Sequence, residues 1–277
     1  MTNWEFAASD PVDVSIDTWA SGAIVVAAEP TSTVTVEVTP SHSRDDVQDL
    51  LALIEVTFDD GQLLVRGPQA GIFRRRQGLD LTIRVPEGSS CAAKTMSADL
   101  TVVGDLSALS LKTASGDLTA PVVSGDVTVR SASGDLMLEA VGGSVTVNTA
   151  SGDFRCRSVD GPAQINTASG DVQIGRCGGS VAARTASGDV RLGTVAAGEI
   201  ELSSASGDLF VGVVPGRGVY LDLSSTSGDI HSELEAADGY DDDAAEATIR
   251  ISCRTLSGDI QIRRARGSAV EQPELAH

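Results

Sequence analysis

The segment Thr149-Ala-Ser-Gly-Asp153 carries the motif on which the fold of this 277-residue chain depends. The motif, Thr or Ser followed by Ala-Ser-Gly-Asp, is spaced by 18 residues in five copies that end at Asp117, Asp135, Asp153, Asp171 and Asp189. Later copies end at Asp208, Asp229 and Asp259, after 19, 21 and 30 residues, and a degenerate copy ends at Asp99. A fixed period of this kind indicates a stacked repeat architecture.

The pattern of the repeat unit indicates strands and not a helix. Eighteen residues would also make five helical turns, but a glycine and two weak helix formers in every unit disfavour that reading. The residues after the motif alternate between apolar and polar, as in Leu136-Met-Leu138 and Val172-Gln-Ile174, which is typical of strands. Each unit divides into two nine-residue halves, and each half is a glycine-containing turn followed by a short strand. We therefore predict an all-β fold, a parallel β-solenoid of 18-residue coils with two strands each, right-handed by analogy with parallel crossovers.

Apolar residues recur in columns that the stacked coils would bury together. The first-half columns are Leu118, Leu136, Phe154, Val172, Val190, Leu209, Ile230 and Ile260; then Ala120, Leu138, Cys156, Ile174, Leu192, Val211 and Ile262; then Val123, Val141, Val159, Cys177, Val195 and Val214. The second-half columns are Val127, Val145, Ala163, Val181 and Ile200, then Val129, Val147, Ile165, Ala183 and Leu202. We expect the motif alanine to pack at a bend that admits only a methyl group, the glycine to adopt a positive φ, and the aspartate to cap the turn.

Composition argues against several functional classes. A net charge of −19 disfavours nucleic acid and anionic membrane surfaces as partners. The first residues have neither a basic start nor an apolar core, and no run of about 18 apolar residues is present, so we expect no signal peptide, no membrane insertion and a cytoplasmic location. The four cysteines form no C-x-x-C pair, which fits a reduced setting.

Stacked aspartates allow two interpretations. In the first, each carboxylate accepts hydrogen bonds from turn N–H and hydroxyl groups; in the second, the row binds cations, as nine-residue calcium-binding β-rolls do. The second half-turns lack the aspartate that the calcium motif needs, which favours the first interpretation. The histidines His42, His231 and His277 are scattered, and no catalytic triad or metal spacing is visible. We assign no catalytic, cofactor-binding or metal-ligating residue and expect no cofactor.

The predicted organisation has four parts: an irregular N-terminal β region or cap over residues 1–95, the regular solenoid over 96–232, an acidic loop with a C-terminal coil over 233–265, and a disordered tail over 266–277. Asp59-Asp-Gly61 indicates a tight turn between two strands. Residues 43–53 predict a short helix, and 74–76 are three consecutive arginines in a loop. Residues 238–243 form the acidic loop.

Three stretches carry a resemblance to a known family. They are residues 79–88, the Thr-Ala-Ser-Gly-Asp repeats from 113 to 230, and Thr255-Leu-Ser-Gly-Asp-Ile-Gln-Ile262. On these the chain resembles the DUF4097-type, adhesin-like β-strand repeat family, over nearly its whole length. The resemblance implies a repeat-β architecture and a non-enzymatic binding role.

We therefore predict that the chain is not an enzyme and acts as a binding or scaffolding module whose partner is another protein or itself. Three alternatives remain open: a self-assembling cytoplasmic filament, a carbohydrate-active β-helix enzyme, and an acidic mimic of DNA.

Overall fold

The computed structural model describes residues 2–41, 51–67, 78–234 and 249–265. These ranges form the predicted all-β solenoid. The N-terminal strands are β1 (Thr2–Ala7), β2 (Asp13–Glu29), β3 (Thr33–Pro40), β4 (Glu55–Asp59), β5 (Gln62–Arg66) and β6 (Leu79–Pro86). The predicted helix at 43–53 falls mostly outside the described residues, and the arginine run, the acidic loop and the tail fall wholly outside them.

The repeat region continues with strands that contribute two to each coil. They are β7 (Ser90–Val103), β8 (Asp105–Leu106), β9 (Ala108–Lys112), β10 (Leu118–Val123), β11 (Val127–Arg130), β12 (Leu136–Val141), β13 (Val145–Asn148), β14 (Phe154–Val159), β15 (Ala163–Asn166), β16 (Val172–Cys177), β17 (Val181–Ser187), β18 (Val190–Val195), β19 (Glu199–Ser206) and β20 (Leu209–Val213). The last four are β21 (Val219–Ser227), β22 (Ile230–Ser232), β23 (Ile249–Ser257) and β24 (Ile260–Arg264).

Successive coils pair in parallel with an 18-residue register. Leu118 is the Cα partner of Leu136, and Leu136 is the partner of Phe154. The first strands of the coils form one sheet (first sheet: β10, β12, β14, β16, β18, β20, β24, β22), and the second strands form another (second sheet: β9, β11, β13, β15, β17, β19, β23, β21). The long strand β7 serves both, because Cys91 pairs with Leu109 of β9 and Leu100 pairs with Leu118 of β10.

The core lies between the inner faces of the two sheets, and the predicted columns are buried there with two exceptions. Leu136, Phe154 and Val172 are each 1% exposed. The first exception is Val214. The Cα partner of Val195 is Val213 and not the predicted Val214, because the register shifts between Leu192 and Val195 where β18 pairs with β20. The second exception, Ile230, is 47% exposed because it lies in the terminal coil described below.

The motif alanine does not pack inside, contrary to expectation. Ala114, Ala132, Ala150, Ala168, Ala186 and Ala205 are all exposed. In β17 the buried positions Val181, Ala183 and Thr185 alternate up to the motif. Since alternation puts every second side chain inside, Thr185 points inward and the alanine after it must point outward. At Thr113 the hydroxyl also serves the turn, because its Oγ1 accepts the N–H of Gly116 at 3.0 Å. The buried hydroxyl of Thr185 has no hydrogen-bond partner within the described ranges.

The motif glycine is required by the coil beneath it. A Cβ built on Gly152, whose φ is +122°, would lie 2.2 Å from the carbonyl oxygen of Gly134 in the preceding coil. The same contact recurs up the stack, where a Cβ on Gly188 would lie 2.2 Å from the oxygen of Gly170. The expected positive φ is found at Gly134, Gly152, Gly188, Gly207 and Gly258 but not at Gly116, Gly170 or Gly228. The close approach of adjacent corners is common to all of them and is the constraint that requires glycine.

We expect Gly152→Ala to lower the free energy of unfolding by about 3 kcal/mol or more, since backbone strain and overpacking each cost about 1–3 kcal/mol. Gly216→Ala is the matched control: its φ is +80°, but nothing lies within 4 Å of the added Cβ, so only about 1 kcal/mol of strain is expected. Urea unfolding followed by circular dichroism measures both. Equal losses in the two variants would contradict the steric role of the stacked corner.

The N-terminal end departs from the 18-residue period. β2 lies parallel to β7, and β5 and β6 lie parallel to β2, but β1–β3, β3–β6 and β4–β5 are antiparallel. The predicted turn joins β4 and β5, with Asp60 and Gly61 at φ values of +45° and +74°. Two positive φ values in a two-residue loop are typical of the turn that matches strand twist in a hairpin.

The C-terminal end does not follow chain order. β23 pairs on one side with β19 and on the other with β21, and β24 likewise lies between β20 and β22. The last coil in sequence is thus inserted beneath the coil formed by residues 219–232 (terminal coil). Within the described ranges, no strand pairs with the outer edge of the terminal coil.

Candidate functional site

The motif aspartates form a continuous ladder of hydrogen bonds. Oδ1 of Asp135 accepts the backbone N–H of Asp153 at 2.9 Å, and Oδ1 of Asp153 accepts that of Asp171 at 3.0 Å. The ladder runs through Asp99, Asp117, Asp135, Asp153, Asp171, Asp189, Asp208, Asp259 and Asp229 in spatial order. Apart from Asp229, which ends the ladder, each carboxylate caps the next coil, whereas the sequence led us to expect that it would cap its own turn.

This ladder explains how a row of like charges is tolerated. Carboxylates one strand spacing apart repel by about 1 kcal/mol per neighbour in water, and each hydrogen bond from a backbone N–H offsets that cost. Arg155 and Arg191 add ion pairs at 2.7 Å to the outer oxygens of Asp153 and Asp189. In the described ranges, no group of three or more His, Cys, Asp or Glu side chains is placed to hold a metal ion.

One further aspartate shows the same inter-coil role at the other corner of the coil. Asp126 Oδ1 accepts hydrogen bonds from the backbone N–H and the hydroxyl of Ser144, each at 2.7 Å. These two hydrogen bonds lower the pKa of Asp126 below its ordinary value. Both corners of this coil are therefore joined to the next by a carboxylate.

We expect Asp135→Ala to lower the free energy of unfolding by about 1 kcal/mol, because the N–H of Asp153 loses its acceptor. Asp135→Asn keeps an acceptor oxygen and removes a repelling charge, so its stability should stay within about 0.5 kcal/mol of the parent. Chemical denaturation of the two variants compares them directly. If asparagine costs as much as alanine, the carboxylate acts through its charge and not as an acceptor.

The four cysteines are buried and belong to the core. Burial raises the pKa of the Cys91, Cys177 and Cys253 thiols to about 12 and that of Cys156 to about 11. All four are free thiols. A thiol in this state is neither a good nucleophile nor a good metal ligand at neutral pH.

We therefore expect a thiol reagent such as DTNB to modify none of the four cysteines in the native protein at pH 8 and all four after denaturation. The reason is that only the thiolate reacts, and burial suppresses both its formation and its access. Absorbance at 412 nm counts the modified thiols. Fast modification of any one cysteine in the native state would contradict its placement in the core.

Outward-facing arginines of the repeat region are mostly paired with carboxylates. Arg157 binds Glu139 at 2.7 Å on the first sheet, and Arg254 binds Asp222 at 2.7 Å on the second. Further outward pairs are Arg176–Asp160, Arg184–Glu201, Arg250–Glu199 and Arg263–Glu233. These exposed pairs are each worth little in stability, but each offsets the charge of one outward arginine.

One basic cluster was not predicted from the sequence. Lys94, Lys112 and Arg130 are Cα partners in three adjacent coils of the second sheet and all point outward (basic row). They are 18 residues apart, so they do not appear as a cluster in the linear sequence. The repeat period itself would have revealed them, because residues 18 apart share a column.

Comparison with known proteins agrees with this architecture. The model of the Toastrack DUF4097 family matches residues 13–263. The chain belongs to this family. The family resemblance predicted from the repeats is thus confirmed, and the long parallel stack is the structural form that this Toastrack domain takes. No curated protein matches the chain in sequence.

Three solved structures are similar to this Toastrack domain along almost the full length of each chain. A "putative adhesin" from Bacteroides fragilis is 15% identical, with a TM-score of 0.42, covering 94% of this chain and 96% of its own. A "putative lipid binding protein" from Parabacteroides distasonis is 13% identical, with a TM-score of 0.43 and 96% of both chains covered. A "putative adhesin" from the same organism is 13% identical, with a TM-score of 0.37, covering 94% of this chain and 96% of its own.

The structure contains no helix, within its described part, that is both long and apolar enough to cross a membrane.

Proposed function

We propose that the chain is a non-enzymatic binding or scaffolding module that presents the outer faces of its two sheets to a protein partner. The observation that carries this proposal is that two sets of residues in each coil have different roles. The repeated polar residues, above all the aspartates, are engaged in holding coil to coil, whereas the outward positions between them vary from coil to coil. Solenoids use such extended, rigid and variable faces for recognition.

The outward column of the first sheet illustrates the variation. Met137, Arg155, Gln173 and Arg191 follow one another in adjacent coils, and Met137 is 48% exposed. The corresponding column of the second sheet is Thr146, Gln164, Ala182 and Glu201. The two faces therefore differ in chemistry, and a partner that recognises one would not recognise the other.

The first test compares the two faces. Immobilised wild-type protein, a first-sheet variant (Met137→Ala, Arg155→Ala, Gln173→Ala) and a second-sheet variant (Thr146→Ala, Gln164→Ala, Glu201→Ala) are used to capture partners from extract of the source cells. We expect one face variant to lose a partner that the other keeps, with unchanged thermal melting because all six positions are outward. A partner set unaffected by either variant would overturn recognition by these faces.

A second candidate, self-assembly through the solenoid end, is favoured by the terminal coil. Its apolar residues Val219, Leu221 and Leu223 are only partly buried, and Tyr220 is 51% exposed. Within the described ranges, the outer edge of β21 has no strand partner, and an unpaired edge can accept a strand from another molecule.

Light scattering coupled to size exclusion over a wide concentration range tests this candidate. Self-assembly predicts a molar mass that rises with concentration, and Leu223→Lys, which places a charge on the terminal coil, should hold the protein as a monomer. Asp222 points to the opposite face of the same strand, so Asp222→Asn serves as the control. A concentration-independent monomer overturns the self-assembly candidate and leaves the face-recognition proposal in place.

A further inference from the structure

The basic row brings three cations together on the outer face of the second sheet. The chain has only two lysines, Lys94 and Lys112, and they are direct Cα partners in adjacent coils. Arg130 is the partner of Lys112 in the next coil. Neighbouring strands lie about 4.8 Å apart, so the three side chains leave the sheet side by side. In a chain of net charge −19, this is a local reversal of sign.

Within the described ranges, only one carboxylate pairs with this row. Asp17, on the neighbouring strand β2, lies 3.6 Å from Lys94 Nζ. Within the described ranges, neither Lys112 nor Arg130 forms an ion pair. The same column continues into Asn148 and Asn166, which are neutral. Like charges one strand spacing apart repel by about 1 kcal/mol per neighbour, and that repulsion is relieved when an anion binds between them.

Beside the basic row, the outer face of the second sheet carries small side chains. Two residues before each cation, on the same outward face, are Ala92, Ser110 and Thr128, and Ser15 continues this line on β2. These small side chains form the floor of a groove of about 280 Å³ whose wall includes Lys94, Lys112 and Arg130. Ser15, Ser110 and Thr128 place hydroxyl donors along the floor.

The groove's chemistry distinguishes among anions. A carboxylate carries one charge, whereas the row offers three cations, of which Asp17 offsets one. A phosphate group carries about −1.5 to −2 at neutral pH and accepts several hydrogen bonds. Lysine binds phosphate as a point charge and arginine can bind it through two parallel N–H groups. No aromatic side chain lines the groove to stack a base, and its volume is at the small end for ligand sites.

We propose that this groove binds a phosphate or pyrophosphate group, held by Lys94, Lys112 and Arg130 with hydroxyls of the floor. This site goes beyond the proposed recognition of a protein partner, and it lies on coils before those altered in the face-recognition test. The group can belong to a free anion or to a headgroup on a lipid surface. The chemistry of recognition is the same in both cases.

Isothermal titration calorimetry of the full chain with sodium pyrophosphate and with sodium phosphate, at low ionic strength, tests the proposal. We expect saturable one-site binding that is weakened at least tenfold in Lys112→Ala and in Arg130→Ala. The matched control is Arg184→Ala, because Arg184 occupies the same column two coils beyond Asn148 and is paired with Glu201. Its affinity should stay within twofold of the parent.

A vesicle arm distinguishes the two sources. The protein is co-sedimented with phosphatidylcholine vesicles that contain phosphatidic acid and, as a control, with vesicles of phosphatidylcholine alone. Binding to the phosphatidic acid vesicles that depends on Lys112 supports a lipid headgroup. Binding of the free anions without binding to vesicles supports a soluble ligand. Absence of saturable binding in both arms overturns the proposal, as does an equal loss in Arg184→Ala. Neither result would alter the partner capture by the outer faces, so failure of the groove and failure of the binding role can be told apart.

Discussion

The structure depends on the contact between adjacent corners of the stack. At each corner, a glycine lets the backbone approach the carbonyl of the coil before it, and an aspartate carboxylate accepts the N–H of the coil after it. These two requirements act on neighbouring residues, which is why Gly-Asp stays fixed while most outward positions vary. The core columns then follow, because fixed corners bring equivalent residues into register between the two sheets.

The regular part of this fold could be predicted from the sequence to the level of individual side chains. The 18-residue period gave the coil, and alternation gave the inner and outer faces, so residues such as Phe154 and Ile174 were placed correctly in the core. The motif alanine was misplaced because the turn was treated as a break in alternation, whereas β17 continues to alternate through Thr185. The aspartate was recognised as a cap, but the inter-coil direction of its hydrogen bond depends on how coils stack, which a single unit does not contain.

The pairing at the two ends of the stack and the basic row are harder to predict from the sequence, because they do not show in the repeat motif. At the N-terminal end, the pairing involves strands outside the regular repeat, such as β2 with β7. At the C-terminal end, the spacing of the motifs along the sequence does not show that the last coil is inserted beneath the coil before it. The basic row is not visible in the linear sequence, because each of its three residues stands alone in its own coil. In a solenoid, residues that share a column lie next to each other on the surface. Lys94 and Lys112 are therefore neighbours in space although a full coil of chain separates them.

The inserted coil at the C-terminal end has a consequence for how the chain is made. In the regular region, each strand emerging from the ribosome finds its template already in place on the previous coil. Within the described part of the chain, β21 and β22 pair only with β23 and β24, which are synthesised after them. β21 and β22 therefore cannot reach their final positions until β23 and β24 have been made. In the regular region the order of the coils along the stack is the order of their synthesis, whereas here the coil made later lies inside the coil made earlier.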